Sequence, residues 1–233
     1  MWNPTEIMSI LCNGLQRLEA DFCEQHAYQG LDSYTETQLH PLLAQAFAND
    51  AATVLREVRY PSALVDLPKD SHRQRCDLVL IPKDKSRIFD VVDEQVAQNK
   101  AIGTLFESQS TNTIPDEDQS MPEDAYWIEV KSVAQFSYID GVPVANGKYT
   151  TDLLSGPRND LVKLAVDPLI QFGCVLVLLF HEEQIAGSHD LAVVSNSILN
   201  QELPMGLPEI ESFPIADRGG NSWCTVGLLP VKL

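Results

Sequence analysis

The chain has 233 residues, of which 44% are hydrophobic, and its 33 acidic side chains outnumber 16 basic ones to give a formal net charge of −17. This length suits one α/β domain with a sizeable core, so we expect a single domain over residues 1–233. The negative charge disfavours a broad attraction to polyanions, so any contact with nucleic acid has to be local.

Two features of the sequence bear on where the protein works. The five cysteines are scattered and form no C-x-x-C pair, which argues against a disulfide framework and a zinc knuckle. This pattern indicates a reducing compartment, and we expect a cytoplasmic location. The opening stretch MWNPTEIMSILCNGL has no positively charged segment, and Gln16 and Arg17 interrupt its apolar residues, so we expect neither a signal peptide nor a membrane span.

Two helices are predicted before the first strand. Asn3 and Pro4 form a helix start, and apolar residues follow at spacings of three and four, which predicts an amphipathic helix. A second helix is predicted within SYTETQLHPLLAQAF (33–47). Pro41 means that this helix either begins late, around Thr37, or is kinked.

Three strands and an insertion are predicted next. Branched and alternating residues predict strands at 53–60, 73–82 and 125–133, and we expect these to form a meander. The insertion, at about 83–124, contains a predicted helix in DEQVAQNKAIGTLFES (93–108) and then an acidic segment that we expect to be a surface loop.

The remaining part of the chain predicts two helices, a buried strand and a hairpin. SGPRNDLVKLAVDP (155–168) predicts a helix entered through its Gly-Pro pair. CVLVLLF (174–180) is apolar on both faces, which is typical of a central strand covered on two sides. LAVVSNSILN (191–200) predicts a helix, and the strands within 211–217 and 222–231 predict a C-terminal hairpin.

A pair of opposite charges lies in the third strand, AYWIEVKSV. Because strand side chains alternate, Trp127, Glu129 and Lys131 share one face. Asp77 lies in the preceding strand. Two alternatives stay open: Glu129 with Lys131 is a solvated strand face, and Asp77 with Arg75 is an exposed ion pair.

The order RCDLVL, WIEVK, NDLVKL and CVLVLLF resembles the PD-(D/E)XK nuclease superfamily over about residues 35–180. This resemblance implies an α/β fold with a restriction-endonuclease-like core, in which helices flank a mixed central sheet of four or more strands. The insertion at 83–124 then lies between the second and third core strands, and residues 185–233 form a C-terminal extension. Cys76 replaces the name-giving proline.

The same resemblance implies a metal site and a reaction. Asp77 and Glu129 match the acidic ligands of Mg²⁺ (or Mn²⁺), the backbone carbonyl of Val130 adds a ligand, and Lys131 matches the lysine that positions the attacking water. Two carboxylates supply the hard oxygen ligands that such ions prefer. The implied function is a metal-dependent phosphodiesterase that hydrolyses nucleic acid, either DNA or RNA.

Four further positions are candidate site residues. Glu36 matches a glutamate that many of these families place on the helix before the first core strand, although it also fits a capping box with Ser33. Lys163 matches a helix position that is often basic, where it would touch the phosphate; its alternative is a solvated helix residue. Lys148 and Tyr149 follow the third strand and are either substrate contacts or parts of a turn.

A second function class fits the same fold. The charge of −17 and the acidic insertion favour a non-catalytic module that binds a protein partner. The insertion could also cover the active face, where its acidic tail would repel a phosphate backbone. The basic residues that would give a local positive cleft lie mostly in the motif region: Arg73, Arg75, Lys131, Lys148, Arg158 and Lys163.

Overall fold

A computed structural model describes residues 2–47, 52–62, 74–102, 115–139 and 142–231. Its helices are α1 (Pro4–Glu24), α2 (Glu36–Phe47), α3 (Val91–Ala101), α4 (Tyr149–Ala165) and α5 (Gln184–Leu199). Its strands are β1 (Ala52–Arg59), β2 (Arg75–Pro82), β3 (Arg87–Ile88), β4 (Gln119–Ser120), β5 (Tyr126–Ala134), β6 (Phe136–Ile139), β7 (Val142–Ala145), β8 (Phe172–His181), β9 (Glu209–Pro214) and β10 (Trp223–Pro230).

Six strands form one mixed sheet in the order β1-β2-β5-β8-β10-β9. β1, β2 and β5 are antiparallel neighbours, which confirms the predicted meander. β5 and β8 run parallel, and α4 lies between them along the chain. β8 is buried along nearly its whole length, as its apolar sequence predicts. The α/β class and the mixed sheet of more than four strands are confirmed.

Helices cover both faces of this sheet. Successive strand residues face opposite ways, so Leu78 and Ile128 pack in the core beneath α1 and α2, while Val79 and Trp127 pack beneath α4 and α5. All four side chains are fully buried, and burial of a large apolar side chain contributes about 1.5–3 kcal/mol. Glu129, between the buried residues Ile128 and Val130 of β5, therefore lies within the core.

The first two helices agree with the sequence. α1 begins at Pro4, and the Asn3 side chain caps it by accepting a hydrogen bond from the Thr5 N–H at 3.1 Å. α2 begins at Glu36 and continues through Pro41. The buried face of α2 packs on α1 and on the sheet, which holds the helix together across the proline.

The last two helices begin earlier than predicted. α4 begins at Tyr149, so the predicted entry through the Gly-Pro pair is wrong. Pro157 lies inside α4, and it is buried together with Leu153 and Leu161, so packing against the sheet outweighs the local preference of proline for a helix start. α5 begins at Gln184, several residues before the predicted start.

The remaining segments form small additions to the sheet. β9 and β10 form the predicted hairpin, and β10 pairs with β8, so the hairpin extends the main sheet. β6 and β7 form a second hairpin that the sequence analysis does not predict. No described helix is both long and apolar enough to cross a membrane.

The insertion between β2 and β5 is described in part. It contains β3, α3 and β4, while residues 103–114, with the end of the predicted helix, lie outside the described residues. Asp116 and Asp118 of the acidic segment form ion pairs with Arg87. Asp116 shares a cavity of about 700 Å³ with Leu80 and Pro82, at the opposite end of β2 from Asp77. Asp116 and Asp118 therefore lie away from Asp77, whereas Asp90 and Asp93 of the insertion lie within 4.0 Å of Arg59, which pairs with Arg75 near the Asp77 end of β2.

Candidate active site

The candidate site lies at a fork in the sheet, where β2 and β5 separate. The two strands pair only through Leu78–Leu80 and Tyr126–Ile128. Beyond these pairs, the Asp77 carboxylate accepts a hydrogen bond from the Val130 N–H at 2.7 Å. β5 continues beside β8 on its other edge. Asp77 is thus hydrogen-bonded to the edge of β5 beyond the residues that pair with β2.

Glu129 is the most buried charged group of the fork, with 2% of its surface exposed, so the solvated-face alternative is wrong. Its Oε1 accepts hydrogen bonds from the Tyr60 hydroxyl and the Lys163 ammonium, both at 2.5 Å. Burial raises the pKa of Glu129 to about 7, and the negative charge of Asp77 adds to this rise, while the two hydrogen bonds oppose it. The hydrogen bonds from Tyr60 and Lys163 therefore do not fully compensate the negative charge of an ionised Glu129.

Lys131 lies between acids from two helices. Its Nζ is 2.9 Å from Asp160 Oδ2 on α4 and 3.1 Å from Glu36 Oε1 on α2, and it donates to the Val130 carbonyl at 3.0 Å. Burial by itself would lower the pKa of Lys131, but the pairing with Asp160 and Glu36 raises this pKa above its ordinary value. Lys131 is therefore a fixed positive charge and not a base at neutral pH.

One face of α4 supports both lysines of the fork. Gly156, Asp160 and Lys163 lie on this face at i, i+4 and i+7. A Cβ on residue 156 would lie 2.9 Å from Lys131 Cδ, so glycine permits the close approach. Lys163 Nζ lies 3.7 Å from Asp160 Oδ1 and 5.0 Å from the centre of the Tyr60 ring. Lys163 is thus held inside the site, and its contact with phosphate stays a prediction.

Glu36 joins the start of α2 to the fork. Its Oε2 accepts a hydrogen bond from the Ser132 N–H at 3.2 Å, and its Oε1 pairs with Lys131. The helix start uses different residues, because the N–H and the hydroxyl of Thr35 both donate to Gln38 Oε1 at 2.9 Å. The capping alternative for Glu36 is therefore wrong, and Glu36 lies where a site residue was predicted.

Lys148 and Tyr149 lie at the start of α4. Lys148 is exposed, and its N–H donates to Asn146 Oδ1 at 2.9 Å. The Tyr149 hydroxyl donates to Asp190 Oδ2 at 2.7 Å, which ties α4 to α5. These contacts do not join either residue to the acids of the fork. A substrate contact by Lys148 or Tyr149 stays a prediction.

Sequence reasoning misses three residues of the site. His40 lies four residues after Glu36 on α2, and Asp160 lies three residues before Lys163 on α4. Helical spacing from a predicted site residue is therefore a signal that finds both. Tyr60 directly follows β1, and no pattern in the sequence marks it.

The charges of the site fit a divalent cation. Four carboxylates and two ammonium groups meet at the fork, which leaves a net charge of −2 when all are ionised. These residues are Glu36, Asp77, Asp160 and Glu129, with Lys131 and Lys163. In addition, the buried Nε2 of His40 has no hydrogen-bond partner among the described residues. Carboxylate oxygens and an imidazole nitrogen are both suitable donors to a metal ion.

Comparisons with models of known protein families, with curated proteins and with solved structures found no match. The residues at the fork are therefore the basis on which a function is assigned.

Proposed function

We propose that this protein is a metal-dependent phosphodiesterase that hydrolyses nucleic acid, with the catalytic arrangement of the PD-(D/E)XK superfamily. The observation that carries the proposal is the fork between β2 and β5, where Asp77, Glu129 and Lys131 meet beside Glu36. The chain order supports it, because α2, the antiparallel strands β1, β2 and β5, α4 and then β8 follow the order of a restriction-endonuclease-like core.

A cation would reduce the repulsion between the carboxylates of Asp77 and Glu129 at the fork. The charge of Asp77 raises the pKa of the buried Glu129, so the two carboxylates repel each other across the fork. Asp77 and Glu129, together with the carbonyl of Val130, would hold Mg²⁺ or Mn²⁺. When bound, the ion would supply positive charge at the point where a phosphate group becomes more negative during hydrolysis.

The other residues of the fork have separate roles in the proposal. Lys131 keeps its proton, so it orients the attacking water by donating a hydrogen bond and does not remove a proton from it. Asp160 and Glu36 hold the ammonium of Lys131 in place. Lys163 donates to Glu129, and its ammonium would bind a phosphate oxygen after that hydrogen bond breaks.

A cleavage assay tests the proposal. End-labelled single-stranded and double-stranded DNA and RNA are incubated with the full chain and either Mg²⁺ or Mn²⁺. We expect cleavage that Asp77→Ala abolishes and that Lys131→Ala lowers by at least about 100-fold, as for loss of one donor at a reacting oxygen. The matched controls Asp21→Ala and Lys100→Ala change exposed residues outside the fork and should leave cleavage intact.

A non-catalytic module that binds a protein partner is the second candidate. The observation that favours it is the pairing of both lysines at the fork with carboxylates of the same chain. A melting titration with Mg²⁺ and Mn²⁺ separates the two functions, because a bound ion stabilises the folded state. A rise in Tm that disappears in Asp77→Asn and in Glu129→Gln supports the phosphodiesterase. Absence of a rise, together with absence of cleavage, favours the module.

A further inference from the structure

His40 presents an unpaired ring nitrogen to Asp77. The side chain is buried on α2, with 5% of the residue exposed. Its Nδ1 lies 3.2 Å from Glu57 Oε1, and its Nε2 lies 3.8 Å from Asp77 Oδ1. A distance of 3.8 Å is too long for a hydrogen bond. Nε2 has no hydrogen-bond partner among the residues that the structure describes.

The partner of Nδ1 determines what Nε2 can do. In the tautomer in which His40 Nδ1 donates its proton to the Glu57 carboxylate, Nε2 carries the lone pair. Asp77 Oδ2 accepts the Val130 N–H, and Asp77 Oδ1 lies on the side of His40. In that tautomer the buried Nε2 of His40 and the Oδ1 of the partly exposed Asp77 face each other as two acceptors 3.8 Å apart, an arrangement that a cation between them would stabilise.

Glu57, the residue that contacts His40 Nδ1, has an unusual backbone conformation. It lies within β1 with φ at 54°, in the left-handed region that is costly for a residue other than glycine. The Arg75 guanidinium donates to the Glu57 carbonyl at 2.6 Å, so Arg75 binds this backbone and is not simply an exposed partner of Asp77. A carboxylate that holds one ring nitrogen of a histidine while the other nitrogen faces a metal is a common arrangement in metal sites.

We propose that His40 Nε2 and Asp77 Oδ1 bind a divalent transition-metal ion, represented by Mn²⁺, in preference to Mg²⁺, and that Glu57 orients the imidazole. The ligand atoms of these three residues lie within 4.8 Å of one another. A ring nitrogen suits first-row transition metals, whereas Mg²⁺ takes oxygen ligands almost exclusively. The inference deepens the proposed function, since Asp77 belongs to both, but binding of the ion at His40 does not require any cleavage of nucleic acid.

The test is Mn²⁺ binding to the full chain without nucleic acid, followed by electron paramagnetic resonance. We expect a tightly bound Mn²⁺ whose electron spin-echo signal is modulated by an imidazole ¹⁴N, and Mg²⁺ should compete only at concentrations at least about tenfold higher. His40→Gln should remove the nitrogen modulation. Glu57→Gln should keep the modulation but weaken Mn²⁺ binding about 10- to 100-fold, as for loss of an outer partner of a ligand. His189→Gln, at an exposed position of α5, is the matched control and should change neither.

Two results would overturn the inference: bound Mn²⁺ without nitrogen modulation, or equal Mn²⁺ affinity in the wild type and His40→Gln. Absence of Mn²⁺ binding would overturn it as well. If His40→Gln does not fold, the wild type labelled with ¹⁵N-histidine decides, because the modulation must then move to the ¹⁵N frequency. Nitrogen modulation without cleavage would support this metal site and contradict the phosphodiesterase, whereas cleavage without nitrogen modulation would do the reverse.

Discussion

Replacing Glu129 with glutamine should stabilise the protein in the absence of metal. The buried Glu129 carboxyl has a pKa of about 7, mainly because of burial and then because of the charge of Asp77. The folded protein therefore binds more protons than the unfolded chain between about pH 4.5 and pH 7, and its stability falls as the pH rises through this interval. Glu129→Gln removes the ionising group, retains a carbonyl that accepts from Tyr60 and Lys163, and so avoids this loss.

The magnitude follows from the pKa of Glu129. The rise from the ordinary value of 4.5 to about 7 corresponds to about 3 kcal/mol, at about 1.4 kcal/mol for each pH unit. The advantage of Glu129→Gln should thus be small near pH 4.5 and reach about 3 kcal/mol above pH 7. For a chain of this size that difference corresponds to a rise in Tm of about 6–12 °C.

Thermal unfolding followed by circular dichroism at pH 5 and pH 8, with a chelator present, measures the effect. Glu117→Gln changes an exposed glutamate and is the matched control, for which we expect little change at either pH. Added Mn²⁺ should raise the Tm of the wild type and reduce the advantage of Glu129→Gln. If the variant is no more stable than the wild type at pH 8, Glu129 is an ordinary ion-pair partner of Lys163 and the reasoning is wrong.

Three further changes test the contacts around the fork. Tyr60→Phe removes a donor to Glu129, so the free energy of unfolding should fall by about 1.5–3 kcal/mol at pH 8 and by less at pH 5; urea unfolding that shows equal losses at both pH values would contradict this. Gly156→Ala should displace the Lys131 side chain and lower kcat at least about tenfold, which is about 1.4 kcal/mol, without a change in Mn²⁺ affinity. An unaltered kcat in the cleavage assay would show that the present position of the Lys131 side chain is not required. Asp160→Asn removes one of the two ion pairs that hold the Lys131 ammonium, so kcat in the cleavage assay should fall about tenfold; an unaltered kcat would exclude this role.

Strands were easier to predict than helix starts, for a physical reason. The run 174–180 is apolar on both faces, and only a central strand covered by helices on two sides accommodates such a sequence. The start of α4 depends instead on packing, because burial of Leu153 and Leu161 keeps Pro157 inside the helix. The hairpin of β6 and β7 has exposed side chains at Val142–Ala145, so it lacks the alternating pattern of a half-buried strand.

The site was predictable where its residues match the family pattern, which includes Glu36 on α2 and Lys163 on α4 as well as residues of the strands. Asp77, Glu129 and Lys131 lie on neighbouring strands, so their order and the alternation of strand side chains place them together. His40 and Asp160 belong to two helices that cover opposite faces of the sheet, and only the assembled fold brings them to the fork. Local sequence patterns contain no information on that assembly beyond the spacing along each helix.

The ion pairs at the fork do not by themselves indicate a purely structural network. In a structural pair the cation lowers the pKa of its carboxylate partner, because it favours the charged form. Glu129 has the ammonium of Lys163 and the hydroxyl of Tyr60 at 2.5 Å, yet its pKa is about 7. Burial and the charge of Asp77 therefore outweigh both donors, and the folded protein retains a carboxyl group that additional positive charge would stabilise. The raised pKa of Glu129 is therefore consistent with the cation proposed for the fork.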